Sequence, residues 1–340
     1  MCENNDCPMN GTCRNGATQE RKGRCSGHHS NKLSATQTPP TAEPKNITMK
    51  PTIDTRLHWT DHYAKHGFAV VKNILEPAYI EEALNEVKKL VKSDLPMDQW
   101  TKDNTPKLGT QAHNEVFRKV YDQPKVRAAI DEMFGSPHCF LDERAFQLFF
   151  KPRDPQAKPE LLKGGHIDFV DVPIPVFGNG FMIQFSLVNK QPFGGNITIW
   201  PGTHKVVQKH IMDDPNWRYP ANWGGITNSE PYEFVAGAGD ALFFHHLVAH
   251  EGNVCTTAMP RISLHCQVLR KEWLKEISAD HDLSPWERSL AMNGPYKVRC
   301  DEQKMMEEGY RRRKAKTPDH PQVKQKEELA AVDAKMRSGY

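Results

Sequence analysis

RISLHCQVL, residues 261–269, alternates without a break. Ile262, Leu264, Cys266 and Val268 fall on one side, and Arg261, Ser263, His265 and Gln267 on the other. Successive strand side chains point to opposite faces, so this stretch predicts a strand with one apolar and one polar face. Ile183, Phe185 and Leu187 repeat the pattern around Gln184 and Ser186, as do Ile197 and Ile199 around Thr198 and Trp200. Short strands divided by Gly/Pro turns predict a mainly β protein with flanking helices, built as a sandwich or jelly roll. Upstream, GFAVV at 67–71 reads as a buried strand. Pro77 opens a helix that carries Ile80, Leu84, Val87 and Val91 at helical spacing. A second helix follows Pro124, carries Val126, Ile130 and Met133, and stops at Gly135.

The 340 residues are 38% hydrophobic, but the apolar side chains concentrate in the middle of the chain. Residues 1–50 read as a disordered leader, 51–300 as the folded domain and 301–340 as a charged helical or flexible tail. With 45 basic and 42 acidic residues the net charge is +3, which gives no reason to expect a nucleic-acid partner. The basic run Arg311 to Lys314 reads as a solvated tail. No apolar run has the length of a membrane span, and 1–50 has no apolar core of a secretory signal. The expectation is a cytoplasmic protein with reduced thiols. Cys2, Cys7, Cys13 and Cys25 match no common zinc module in their spacing and are read as part of the leader.

His166-Ile167-Asp168 is the only His-x-Asp in the chain, and His250 follows 82 residues after Asp168 (250 − 168). Two imidazoles and a carboxylate are the ligand set that holds non-haem Fe(II) on one face and leaves the opposite positions open. On a strand, His166 and Asp168 point the same way. Gly164-Gly165 precede that pair, and Gly239-Asp240 open the segment that leads to His250. Rival groups exist. His113-x-Glu115 sits in a polar stretch and reads as surface, while His245 and His246 read as partners that orient a ligand. Arg261, 11 residues past His250 (261 − 250), becomes a buried cation if its polar face lines the barrel. A dicarboxylate satisfies it, one end chelating iron and the other meeting the guanidinium. Ser263 adds a hydroxyl donor; Thr198 and Gln147 are further contacts to the same co-substrate or ordinary sheet residues. The stretch 204–236, with Trp217, Tyr219, Trp223 and Tyr232, reads as a long loop and a candidate lid.

HGFAVVKNIL (66–75), GGHIDF (164–169), NITIWPGTHK (196–205), GDALFFHHLVAHEGN (239–253) and PRISLH (260–265) together resemble the phytanoyl-CoA dioxygenase family of Fe(II)/2-oxoglutarate-dependent oxygenases. The resemblance runs from about Tyr63 to Leu269 and implies a double-stranded β-helix, a cupin-like jelly roll. It implies iron on His166, Asp168 and His250 and the distal carboxylate of 2-oxoglutarate on Arg261. It further implies that 2-oxoglutarate and O₂ become succinate and CO₂ while a C–H bond of a small molecule is hydroxylated, desaturated or cyclised, with ascorbate supportive. Asp168 keeps its carboxylate, unlike the halogenating variant of the family. Gln184 stands where the acyl-CoA-hydroxylating member has a bulky aromatic, so the packing around the co-substrate differs. Ser338-Gly339-Tyr340 is not a peroxisomal Ser-Lys-Leu address, which speaks against phytanoyl-CoA as the substrate. The competing reading is a jelly-roll protein that binds metal or 2-oxoglutarate without turnover.

Overall fold

In the computed structural model, Arg261–Arg270 is the longest of the described strands and pairs on both sides within a six-stranded antiparallel sheet. The structure describes residues 56–109, 111, 114–136, 140–141, 146–162, 164–167, 180–213, 229–270, 276–277, 282–291 and 296–297. The leader 1–50 and the tail 301–340 lie outside them, as do Asp168 and His113. The large sheet contains β1 (Phe68–Val71), β2 (Phe140–Leu141), β3 (Phe146–Lys151), β4 (Gly180–Ser186), β7 (Ala241–His245) and β9 (Arg261–Arg270). Its order is β1-β7-β4-β9, with β2 and β3 both paired to the far side of β9. A second sheet holds β6 (Tyr232–Glu233), β5 (Ile197–Ile199) and β8 (His250–Gly252) in that order. A third, two-stranded antiparallel ladder pairs β10 (Glu276–Ile277) with β11 (Tyr296–Lys297).

Alternation along the strands sorts the core into two layers. Phe181, Ile183, Phe185, Phe243, Ile262, Leu264, Cys266 and Val268 form one cluster with the helices α1 (Trp59–His66), α2 (Pro77–Val91) and α4 (Pro124–Phe134). The side chains between them face the other way. Phe68, Met182, Leu242 and Phe244 of the large sheet meet Ile197, Ile199, Tyr232 and Phe234, closing the space between the sheets. Each fully buried side chain of this size contributes about 1.5–3 kcal/mol. Two facing antiparallel sheets with helices over one of them make the jelly roll expected from the sequence. α3 (Glu115–Arg118) is a single turn capped by the Asn114 side chain. α6 (Pro285–Leu290) starts on a capping box of Ser284 and Glu287 and seats the buried Trp286, whose indole N–H donates to the Gly180 carbonyl at 3.2 Å.

The Gly239-Asp240 pair has a structural cause. Gly239 takes φ +89°, a conformation that other residues adopt at a cost, and turns the chain into β7. The buried Asp240 carboxylate then accepts the backbone N–H groups of Asn73 (3.0 Å) and Gly237 (2.8 Å) and pairs with the Lys72 ammonium (2.7 Å). The start of the expected lid is different from the reading above. Residues 203–213 form helix α5 (Thr203–Asp213) rather than loop. Val207 and Gln208 are buried on that helix, and the Gln208 amide donates to the Leu290 carbonyl at 2.7 Å, so tertiary packing decides the conformation. Tyr232, at the other end, stacks on Phe68 with ring centroids 4.9 Å apart. Trp217, Tyr219 and Trp223 lie outside the described residues.

Candidate metal centre

His166 and His250 are bound to each other through the backbone. The His166 N–H donates to the His250 carbonyl at 2.9 Å, and the reverse bond is also 2.9 Å. This antiparallel bridge sets the rings side by side, with centroids 4.6 Å apart. Gly165 is required for the approach, because a Cβ there would stand 2.5 Å from the Trp200 ring and 2.9 Å from the His250 carbonyl. The His166 Nδ1–H donates to the Glu251 carboxylate at 3.0 Å, and the His250 Nδ1–H to the Val248 carbonyl at 3.0 Å. A neutral imidazole protonated at Nδ1 carries its lone pair on Nε2, the form in which histidine ligates a metal. His250 is buried and also lies edge-on to Phe244 at 5.0 Å. Asp168, the third expected ligand, lies outside the described residues, and Ile167 before it is fully buried.

The opposite end of this region is cationic. Arg261 is only 2% exposed. Its guanidinium donates to the Gly195 carbonyl at 2.9 Å and to the Ser263 hydroxyl at 3.4 Å, and lies 5.0 Å from the centre of the Phe149 ring. Among the described residues no carboxylate forms an ion pair with it. Burial draws its pKa down to about 10, which still leaves it charged at neutral pH. Lys151 faces Arg261 across the β3–β9 register. Its ammonium donates to the carbonyls of Gly252 (2.9 Å) and Asn253 (3.2 Å), and burial, helped by the Arg261 charge, lowers its pKa to about 8. Both cations press on Gly252, where a Cβ would meet the Lys151 Nζ at 3.0 Å and the Arg261 guanidinium at 3.1 Å. The cationic end therefore begins two residues after His250.

Gln184 is fully buried, and neither its amide nitrogen nor its oxygen has a hydrogen-bond partner among the described residues. It stands opposite His265 in the β4–β9 register, with Gln147 on the far side of His265 and exposed to solvent. Ser263 is buried opposite Ser186 and beside Arg261. Thr198 is not brought to this group. Ile197 and Ile199 take the interior face of β5, so Thr198 points the other way and accepts the Asn253 amide at 2.6 Å. His245 and His246 are not the Nδ1 partners of the paired rings; those partners are Val248 and Glu251. His245 instead stacks on His246 at 4.4 Å and lies 5.3 Å from His204. Reading the sequence alone passed over Glu251 and Lys151. The signal for Glu251 is an acid directly after His250, whereas Lys151 reads like any strand-end lysine.

The sequence profile described as Phytanoyl-CoA dioxygenase (PhyH) matches residues 63–263. The chain belongs to the phytanoyl-CoA dioxygenase family. Members are Fe(II)/2-oxoglutarate-dependent oxygenases, and the matched span runs from α1 to Ser263 on β9. No curated protein sequence matches the chain. Among solved structures it is similar to SnoN, a non-heme alpha ketoglutarate dependent epimerase from nogalamycin biosynthesis, at 18% identity and a TM-score of 0.45 over 62% of this chain and 81% of that one. It is similar to SnoK, a non-heme alpha ketoglutarate dependent carbocyclase, at 14% identity and a TM-score of 0.44 over 65% and 87%. AviO1 from Streptomyces viridochromogenes gives 14% identity and a TM-score of 0.44 over 64% and 95%. As a member of the phytanoyl-CoA dioxygenase family the chain is expected to hold iron. The residues present suit that ion, since two adjacent rings have Nδ1 fixed on an acceptor, which leaves Nε2 of each to meet a cation.

Proposed function

We propose that this protein is an Fe(II)/2-oxoglutarate-dependent dioxygenase that oxidises a C–H bond of a small molecule while 2-oxoglutarate and O₂ become succinate and CO₂. The observation that carries the reading is the buried Arg261, which forms no ion pair with a carboxylate among the described residues, beside the strand that bears His250. A buried guanidinium without an ion-pair partner is costly, and a dicarboxylate co-substrate offsets that cost. His166, Asp168 and His250 would hold the iron. When bound, the iron supplies the activation of O₂ and the oxidation of the substrate C–H bond. Every other part of the work belongs to the chain. The bridge between His166 and His250 sets the two imidazoles in place before any ligand arrives. Arg261, with Ser263, takes the distal carboxylate of 2-oxoglutarate, and Lys151 adds positive charge at the same end. Gln184 offers a buried amide, and Gln147 an exposed one, to whatever lies over His265. Phe149 and Phe244 exclude water along this face.

The test is succinate formation by the full chain with Fe(II), ascorbate and 2-oxoglutarate. Slow uncoupled turnover is expected even without the substrate, and Asp168→Ala is expected to abolish it while the fold remains. A wild-type protein that yields no succinate with any member of a substrate panel sinks the enzyme reading in favour of a binding protein.

A further inference from the structure

Glu251 lies outside the expected ligand set, yet both of its oxygens are committed at the metal centre. Oε2 accepts the Nδ1–H of His166 at 3.0 Å, and Oε1 accepts the Gly252 N–H at 2.9 Å. The second bond fixes the carboxylate against its own strand. That strand is β8, which begins with His250 and is held to β5 with Glu251 opposite Thr198. One three-residue strand therefore carries one imidazole directly and grips the other through Glu251. The backbone bridge between His166 and His250 makes this reach constant. We propose that Glu251 is a positioning residue of the metal centre, holding the His166 ring in the Nδ1–H tautomer so that Nε2 carries the lone pair. The proposal rests on the reading of His166 as a metal ligand.

Tautomer and charge both favour this role for Glu251. A neutral imidazole has two tautomers, and only the one with a bare Nε2 can donate that nitrogen to a cation. A carboxylate accepts but cannot donate, so it selects Nδ1–H, and it also raises the basicity of the distant nitrogen. Charge acts in the same direction. A divalent ion at His166 and His250 adds to the positive charge of Arg261 and Lys151, and Glu251 is the carboxylate that attracts both of those side chains. The His166 and Glu251 side chains are 43% and 32% exposed, so a bare surface ion pair is the competing account, and such pairs contribute little to stability.

Co(II) titration of the full-length protein, read by its visible absorption, separates the two accounts. Wild type is expected to bind one Co(II), and Glu251→Ala to weaken that binding roughly 10–100-fold. Glu251→Gln, which keeps an acceptor oxygen without the charge, should fall between them. The Co(II)-loaded wild type should also show two exchangeable, hyperfine-shifted imidazole N–H proton signals, one of which disappears in Glu251→Ala. A purely structural role would lower the melting temperature of the metal-free protein and leave both readouts unchanged. Should E251A fail to fold, Glu251→Asp withdraws the carboxylate by one methylene and is expected to weaken Co(II) binding in the same direction. Binding within about twofold of wild type in the folded variants, with both N–H signals present, overturns the proposal while the metal centre stands. Failure of the wild type to bind Co(II) overturns the metal centre and the proposal together.

Discussion

Two groups of histidines sit in this barrel, and they are built for opposite purposes. In the first, His166 and His250 each donate Nδ1–H to an oxygen, and one of those oxygens belongs to a carboxylate. In the second, His204, His245 and His246 crowd together next to α1. There the bonding of His245 is reversed, since its Nδ1 accepts the Leu247 N–H at 3.0 Å and its Nε2 has no partner among the described residues. The neighbours differ as well. Glu251 stands beside the first pair, whereas burial, Lys205, His66 and His246 push the His204 pKa down to about 3, and burial, His246 and His204 hold His245 well below its ordinary value. The first group invites a cation and the second repels a proton. Identity of the side chain does not decide this; the atom on Nδ1 and the nearest charge do.

Replacing a member of each group should break the symmetry between them, and the largest effect belongs to the first. His250→Ala is expected to cut succinate formation by about 10³-fold or more, since a bound metal is worth several kcal/mol to the reaction. The variant should keep the wild-type circular dichroism spectrum. An active His250→Ala would move the metal elsewhere. Next comes Arg261→Ala, which removes a charged contact worth about 1.5–3 kcal/mol and should raise the KM for 2-oxoglutarate roughly 10–100-fold. Co(II) affinity should not change, which separates the cationic end from the imidazole pair. A KM equal to that of wild type would place the distal carboxylate elsewhere. His204→Ala should show the reverse profile. It leaves a cavity beside Gly67, whose Cα carries no side chain because a Cβ would lie 2.4 Å from the His204 ring. A loss of about 2–3 kcal/mol in urea unfolding is expected, with kcat of the folded protein unchanged. A fall in kcat without a fall in stability would give the second group a catalytic part.

The comparison also marks what can be read from the chain itself. The alternation of 261–269 is legible because one face of β9 packs on the helices and the other, with the buried Arg261 and Ser263, on the barrel interior, so an apolar core and a polar interior impose opposite chemistry on neighbours. Pro77, Pro124 and Gly135 marked helix ends because each constrains the backbone locally. The approach of His166 to His250 was inferred from a spaced motif, and the bridge between them is a long-range fact that no local pattern encodes. Helix α5 was misread as loop for the same reason, since its stability comes from Val207 and Gln208 meeting distant partners. Of the two alternatives open for Thr198, the structure favours the ordinary sheet residue, since Ile197 and Ile199 occupy the interior side and Thr198 meets Asn253. His245 and His246 looked like ligand partners because sequence proximity to His250 says nothing about which way a ring nitrogen faces.

The smallest expected effect tests the protonation states directly. In the unfolded chain His204 takes up a proton near its ordinary pKa of about 6.5, whereas in the folded chain burial delays this until about 3. Between those values the unfolded state binds more protons than the folded state, so stability rises with pH across the window and is complete above it. The contribution of this ring therefore disappears progressively as the solution is acidified, by about 1.4 kcal/mol per pH unit within the window. Lys205, His66 and His246 act in the same direction as burial, and the Ala64 carbonyl opposes them. Carboxylates elsewhere also respond to acid, so the informative quantity is a difference. His204→Leu keeps the volume approximately and removes the titration, and its unfolding free energy should depend less steeply on pH than that of wild type between about pH 6 and pH 4. Equal slopes would mean that His204 takes up its proton in the folded state as readily as in the unfolded one. The second group would then tolerate charge, and the contrast with the His166–His250 pair would fail.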